Sequence, residues 1–129
     1  MKQRLKDLPF IQTILIVDAD GKTMQSTFGP PAPATVRVDD RPYFTAQRDD
    51  ASLGLYIDSP IMGRRTQLLS IPMSRRISGP DGKFGGAIAA FADPRAMAQV
   101  YAGVDVGPGG AIALIRRDGI MLARFPYRV

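Results

Sequence analysis

Three turn signals constrain the fold of this chain more than any other feature. Asp20–Gly21, Pro80–Asp81–Gly82 and Asp118–Gly119 each lie between two apolar stretches. An Asp–Gly pair tolerates the positive backbone angles of a tight two-strand connection, which makes it the strongest short hairpin signal. The apolar run Ile14 to Val17 leads into the first turn, and residues 22 to 28 return from it. A run from Thr66 to Ile77 predicts a longer strand, with Pro72 placing an edge or a bulge in it. FGGAIAAFA, residues 84 to 92, returns as a strand of small side chains, the kind that lets a helix or a ligand approach closely. LGLYIDSPI, residues 53 to 61, predicts one further strand. AIALIRRDGIMLARF, residues 111 to 125, predicts a third hairpin. Aligned on their turns, ILIVDADGKTMQST and IALIRRDGIMLARF match without a gap: Ile14, Ile16, Val17 and Met24 fall on Ile112, Leu114, Ile115 and Leu122. The repeat suggests a second module opening near Gly107 and represented by its first hairpin alone. Such a hairpin, lacking its partner sheet, is expected to pair with another element or another chain.

Helix signals lie between these strands. Met1 to Leu8 reads as the end of a helix stopped by Pro9, and GPPAPATVRVDD, residues 29 to 40, as a proline-rich loop. Asp40 or Arg41 is expected at the next cap, with Pro42 in the first turn of a helix running to Arg48. Asp93 and Pro94 supply the N-cap and first position of a second helix, DPRAMAQVYAGV. GPGG, residues 107 to 110, lacks the lysine and the strand–helix context of a phosphate loop and reads as an interdomain turn. The predicted class is α+β: a central antiparallel five-stranded sheet flanked by helices, plus a C-terminal hairpin.

Composition removes several functions. The chain has 129 residues, enough for one compact domain, and no histidine or cysteine. Thiol nucleophiles, disulfides, most zinc sites and Ser-His-Asp triads are excluded with those residues. Every one of the 12 acidic residues is an aspartate, mostly in turn contexts, so a hydrolase is disfavoured and no metal or cofactor is expected. No apolar run reaches membrane-span length and the charged start MKQRLKDLPF is not a secretory signal, so a soluble chain is expected, compatible with a piece of a membrane protein. The net charge is +5, with doublets at Arg64–Arg65, Arg75–Arg76 and Arg116–Arg117. These are dispersed over the sequence, which argues for a solvated basic surface rather than a nucleic-acid or membrane-surface binder; binding lost steeply with salt would mark the latter. The methionines are read as core filler.

The stretch DDRPYFTAQ, residues 39 to 47, gathers the candidate recognition chemistry. Arg41 can grip a carboxylate through two parallel N–H bonds, or staple the loop by pairing with Asp39 or Asp40. Tyr43 and Phe44 point in different directions from a helix start, so one is expected in the core (Phe44) and one at a pocket (Tyr43). Tyr56 and Ser59 can offer hydroxyls, or simply form a cross-strand pair and a turn. Asp93 can serve a ligand and cap a helix together. Arg75 and Arg76 alternate across a strand, and Arg75 is taken as the inward one.

The pieces IVDADGK, VDDRPYF, LYIDSPI, LLSIPMSRRISGPDGKFGGAIAAFAD and VDVGPGGAIALIRRDGIMLARFP, in this order and spacing from about Leu8 to the end, resemble the Cache family in its double (dCache) form. These are PAS-like extracytoplasmic sensor domains of bacterial receptors. The resemblance implies a periplasmic, non-enzymatic, ligand-sensing part of an inner-membrane histidine kinase, diguanylate cyclase or chemoreceptor. It implies a membrane-distal module over residues 1–106 and the start of a membrane-proximal module over 107–129. In amino-acid-binding members an arginine and nearby aromatics hold the carboxylate and a later aspartate the amine. Those positions fall on Arg41, Tyr43, Phe44 and Asp93, with Tyr56, Ser59 and Arg75 completing the expected ligand-binding set. The chain departs from those members at Tyr43 (a tryptophan there), Phe44 (a tyrosine) and Val38 (an aromatic), which favours a small carboxylate or other polar metabolite over a standard amino acid. Signalling is expected to proceed as a ligand-driven population shift in a homodimer. The alternative reading is a ligand-free dimerisation module whose aromatics are core.

Overall fold

The computed structural model describes residues 10–27, 37–63, 67–100 and 103–125. Strands β1 (Ile11–Asp18) and β2 (Thr23–Ser26) form the first hairpin. Helix α1 (Pro42–Asp49) follows, then β3 (Tyr56–Ile57), β4 (Ile61–Met62), β5 (Leu69–Ser78) and β6 (Phe84–Ala92). Helix α2 (Pro94–Val100) leads to β7 (Ile112–Ile115) and β8 (Met121–Phe125). The main sheet is antiparallel, in the order β2-β1-β6-β5-β3, with β4 also paired to β5. The expected α+β architecture, a five-strand antiparallel path with helices and a small C-terminal hairpin, is the observed one. The expected helix end over residues 1–8 and the proline-rich loop up to residue 36 lie outside the described residues.

Strand β6 runs through the centre of the sheet, and its small residues let α1 come close to its face. On the α1 side, Val17, Val38, Tyr43, Phe44, Ala89 and Phe91 form one buried cluster. On the other side, Ile71, Ala92 and Leu122 form a second, joined by Ile57, Met73 and Leu114. The C-terminal hairpin therefore buries one apolar face against the sheet. Among the described residues its strands form a ladder only with each other, and the hairpin meets another element of the chain by packing Leu114 and Leu122 on the sheet. Ile115, Ile120 and Met121 stay exposed on the hairpin.

The stretch 53–61 is not one strand. Its two short ladders, Tyr56–Ile57 and Ile61–Met62, are separated by Asp58-Ser59-Pro60. The break has a cause on both strands. Asp58 turns its Oδ1 to accept the Ser59 N–H at 2.8 Å, and Pro60 has no N–H to give a ladder. Opposite the break lies Pro72, fully buried in β5: it marks no bulge in the β5–β6 ladder, and the expected edge is the local gap between β3 and β4. Its carbonyl accepts the Asp58 N–H at 2.8 Å, so its missing donor faces the interruption and the β5–β6 ladder loses nothing.

Arg41 is the N-cap of α1 and Pro42 its first residue, as the sequence predicts. The far end is held by an arginine of the sheet. Arg76 donates to the carbonyls of Gln47 at 3.0 Å and Gly82 at 3.2 Å, and its guanidinium lies 5.2 Å from the Phe84 ring centroid. A cation at the carbonyl end of a helix satisfies acceptors that the helix leaves open. Thus Arg76, not Arg75, turns toward the helix. Alternation puts Ser74 and Arg76 on the α1 face, whereas Arg75 is exposed beside Ile88 on the other. Arg76→Ala is expected to lower stability by about 1–3 kcal/mol and Arg75→Ala by less than about 0.5 kcal/mol, read from urea denaturation midpoints.

Candidate functional site

The loop entering α1 is placed by the first hairpin. Asp18 accepts the backbone N–H groups of Asp20 at 2.9 Å and Lys22 at 3.0 Å, closing the turn. Gly21 has φ +86°, and a Cβ there would lie 2.5 Å from the Asp39 Cβ, so only glycine lets the loop rest against the turn. The Val38 N–H donates to the Gly21 carbonyl at 3.3 Å, and Arg37 bonds to the Asp20 carbonyl. Three residues on, Arg41 leaves this anchored segment.

The Arg41 guanidinium donates to the Met62 carbonyl of β4 at 3.0 Å, bridging the helix start and the short outer strand. Asp39 receives Arg37 at 3.4 Å. Tyr43 and Phe44 are both buried. Tyr43 meets Phe91 edge-on with ring centroids 5.3 Å apart, and Phe44 meets Phe84 in the same way at 5.3 Å. Tyr56 packs on this cluster from β3. The structure thus brings Arg41, Tyr43, Phe44 and Tyr56 to one side of the sheet. Asp93, just past the end of β6 and two residues beyond Phe91, caps α2: its Oδ1 accepts the Arg95 N–H at 2.8 Å. Ser59 is engaged with Asp58, its hydroxyl 3.5 Å from Oδ1. Arg75 lies on the opposite face, apart from the others.

Asp58, Gln47 and Ser74 were missed by sequence reasoning. Gln47 is fully buried, and its Nε2 donates to the carbonyls of Gly54 and Ser74 at 2.9 Å each. Ser74 in turn donates to the Tyr43 carbonyl at 2.7 Å. This network fixes α1 on β5. Gln47 Oε1, Arg124 Nε and Asp58 Oδ2 are buried without a hydrogen-bond partner among the described residues. Asp58, 2% exposed, is the carboxylate among them. A buried carboxylate oxygen without a donor is costly, and such an atom marks a place where a donor belongs. The hydroxyl of Tyr56 senses the same neighbourhood: burial first, then the negative charge of Asp58, push its pKa above the ordinary tyrosine value, while Arg116 opposes. Alternation of polar and apolar residues in YIDSP was the only signal for Asp58, and it is too short to reveal burial. Among the described residues no group of three or more potential metal ligands gathers.

Against solved structures, the fold matches closely. It superposes on the extracellular domain of the candidate histidine kinase rpHK1S-Z16 with a TM-score of 0.88 and 31% identity, covering 98% of this chain and 52% of that one. By structure, the chain is a homologue of the dCache, PAS-like extracytoplasmic sensor domains. Two more distant Cache structures share the fold. The ligand-binding domain of the Pseudomonas fluorescens chemoreceptor CtaA, in complex with L-leucine, gives a TM-score of 0.69 at 16% identity over 90% of this chain and 47% of that one. The ligand-binding domain of the Pseudomonas aeruginosa amino acid chemoreceptor PctC, in complex with GABA, gives 0.65 at 16% identity over 86% and 48%. The chain therefore spans about half the length of these Cache structures. No family model matches the sequence, and no curated protein is significantly similar to it. No helix among the described residues of this Cache fold is long and apolar enough to cross a membrane.

Proposed function

We propose that this chain is the ligand-sensing part of a bacterial transmembrane signalling receptor, and that it binds a small polar metabolite on the α1 side of the sheet. The observation that carries this reading is the buried, unpartnered Oδ2 of Asp58 beside Tyr56, in a fold whose solved relatives include ligand-binding domains. A donor group of the ligand, such as an amine or hydroxyl, would satisfy that oxygen. Arg41 would hold a carboxylate, exchanging its bond to the Met62 carbonyl for two charge-assisted ones. Tyr43 and Tyr56 would form the apolar wall, Phe44 the support behind it, and Asp93 a second acceptor. Ser59 would orient Asp58. In this reading residues 1–106 are a membrane-distal module, 107–129 open the next one, and the receptor works as a homodimer on the extracytoplasmic side.

The second reading, a ligand-free dimerisation module, draws on the same Arg41 bond, which also makes a good staple. A thermal-shift screen of small carboxylates, amino acids and amines separates the two. The expected result is a ligand that stabilises the wild type and loses at least about 2 kcal/mol of binding in Arg41→Ala, roughly 30-fold in Kd. No shift with any compound, together with a lower melting temperature for Arg41→Ala, favours the staple.

A further inference from the structure

Strand β3 has two residues, and the pleat sends them to opposite sides of the sheet. Tyr56 enters the cluster beneath α1. Ile57 enters the cluster that holds Leu114 and Leu122 of the C-terminal hairpin. Two residues therefore connect the candidate site to the hairpin through the thickness of the sheet. The strand has few bonds of its own: Tyr56 pairs with Ser74 and Ile57 with Met73, and the Asp58 N–H reaches the Pro72 carbonyl.

A further bond comes from the hairpin. Arg116, at the start of the β7–β8 turn, donates from Nη1 to the Ile57 carbonyl at 3.0 Å across 59 residues of sequence. Asp118 holds the guanidinium in line, accepting from Nε at 2.7 Å and pairing also with Nη2. The Arg116 side chain is only 23% exposed. Its charge acts on both Tyr56 and Asp58. One arginine thus fills the open edge of β3 and stands beside the site's buried carboxylate.

We propose that β3 and Arg116 join the candidate site to the C-terminal hairpin in one linked equilibrium. Displacing Tyr56 or Asp58 loosens the seating of β7 and β8, and releasing Arg116 loosens Tyr56 and Asp58. Such coupling is reciprocal by thermodynamic necessity. Arg116 is a positioning residue here, acting through β3 on whatever the site contacts. This goes beyond the ligand reading and does not depend on it.

The test is amide hydrogen exchange on the full chain with no ligand added, for wild type, Asp58→Asn, Tyr56→Phe, Arg116→Gln, the Arg116→Gln combinations with each site variant, and Arg117→Gln as an exposed control. Arg116→Gln is expected to speed exchange at the Asp58 amide about fivefold or more, and the site variants to speed exchange at the Arg116 amide similarly. The combined variants are expected to exchange no faster at either amide than the faster single one, and Arg117→Gln to change neither. Effects confined to the substituted element, or multiplying in the combinations, overturn the proposal. Tyr56→Phe keeps the cycle decisive should Asp58→Asn not fold. A second readout is the ionisation of Tyr56 followed by NMR of its ring. In Arg116→Gln it moves to higher pH, because a positive charge favouring the phenolate is gone; an unmoved titration counts against the link. With no ligand present, either outcome leaves the screen on Arg41→Ala to judge the ligand reading separately.

Discussion

Gly86→Ala is expected to destabilise the protein by about 4 kcal/mol or more, or to prevent folding altogether. Gly86 lies in the central strand, opposite Asp18 on one side and Ile77 on the other. Its φ is +124°, a region in which an L side chain is strained by about 1–3 kcal/mol. A Cβ there would overlap the Val17 carbonyl oxygen and lie 3.0 Å from the Asp18 backbone. These are backbone atoms of a paired strand, so relief requires β1 and β6 to separate. Gly82→Ala is the control. Its φ is +79°, but a Cβ there meets nothing within 4 Å, so only the local strain of about 1–2 kcal/mol applies. Urea denaturation of both variants checks this; equal midpoints would mean that the sheet yields at Gly86 without cost.

Phe44→Ala is the second large effect, with an expected loss of about 3–5 kcal/mol. Phe44 is 1% exposed and meets Phe84 edge-on, an arrangement that adds about 0.5–1.5 kcal/mol to simple burial. Phe44→Leu keeps most of the volume and is expected to lose less than half as much. The pair of variants assigns the residue: a small stability loss with a large change in ligand affinity would place Phe44 in contact with ligand rather than behind it. Tyr43 differs from Phe44 by more than its hydroxyl, because it packs on Phe91, next to the end of β6 that leads into Asp93.

Several elements were legible residue by residue. Asp–Gly turns, Pro42 after Arg41, and Asp93 before Pro94 act through bonds within a few residues of themselves, and the structure has them where they were expected. Strand β6 spans Phe84–Ala92, the whole of FGGAIAAFA. Other features had no local signal. Arg75 and Arg76 carry the same chemistry and alternate by geometry, so their facing depends on where α1 docks. Asp58 carried no signal of its own within a stretch that reads as one strand; it is buried where the break in 53–61 meets Pro72, more than ten positions away in sequence.

The two similar hairpins show the same division most clearly. Aligned on their turns, Val17 matches Ile115 and Met24 matches Leu122. Val17 is 1% exposed and Ile115 56%, while Met24 is 51% exposed and Leu122 6%. The apolar pattern and the Asp–Gly pairs determined by themselves that both segments become hairpins, because strand period and turn angles are local properties. Which face of each hairpin is buried was decided only in the tertiary structure. β1 joins the main sheet beside β6 with α1 above it, whereas β7 and β8 lie apart and press their opposite side on the sheet. Burial is a property of the neighbour, and the neighbours here come from distant parts of the chain. The same reason placed Arg116 against Ile57, a contact across 59 residues that no local pattern encodes.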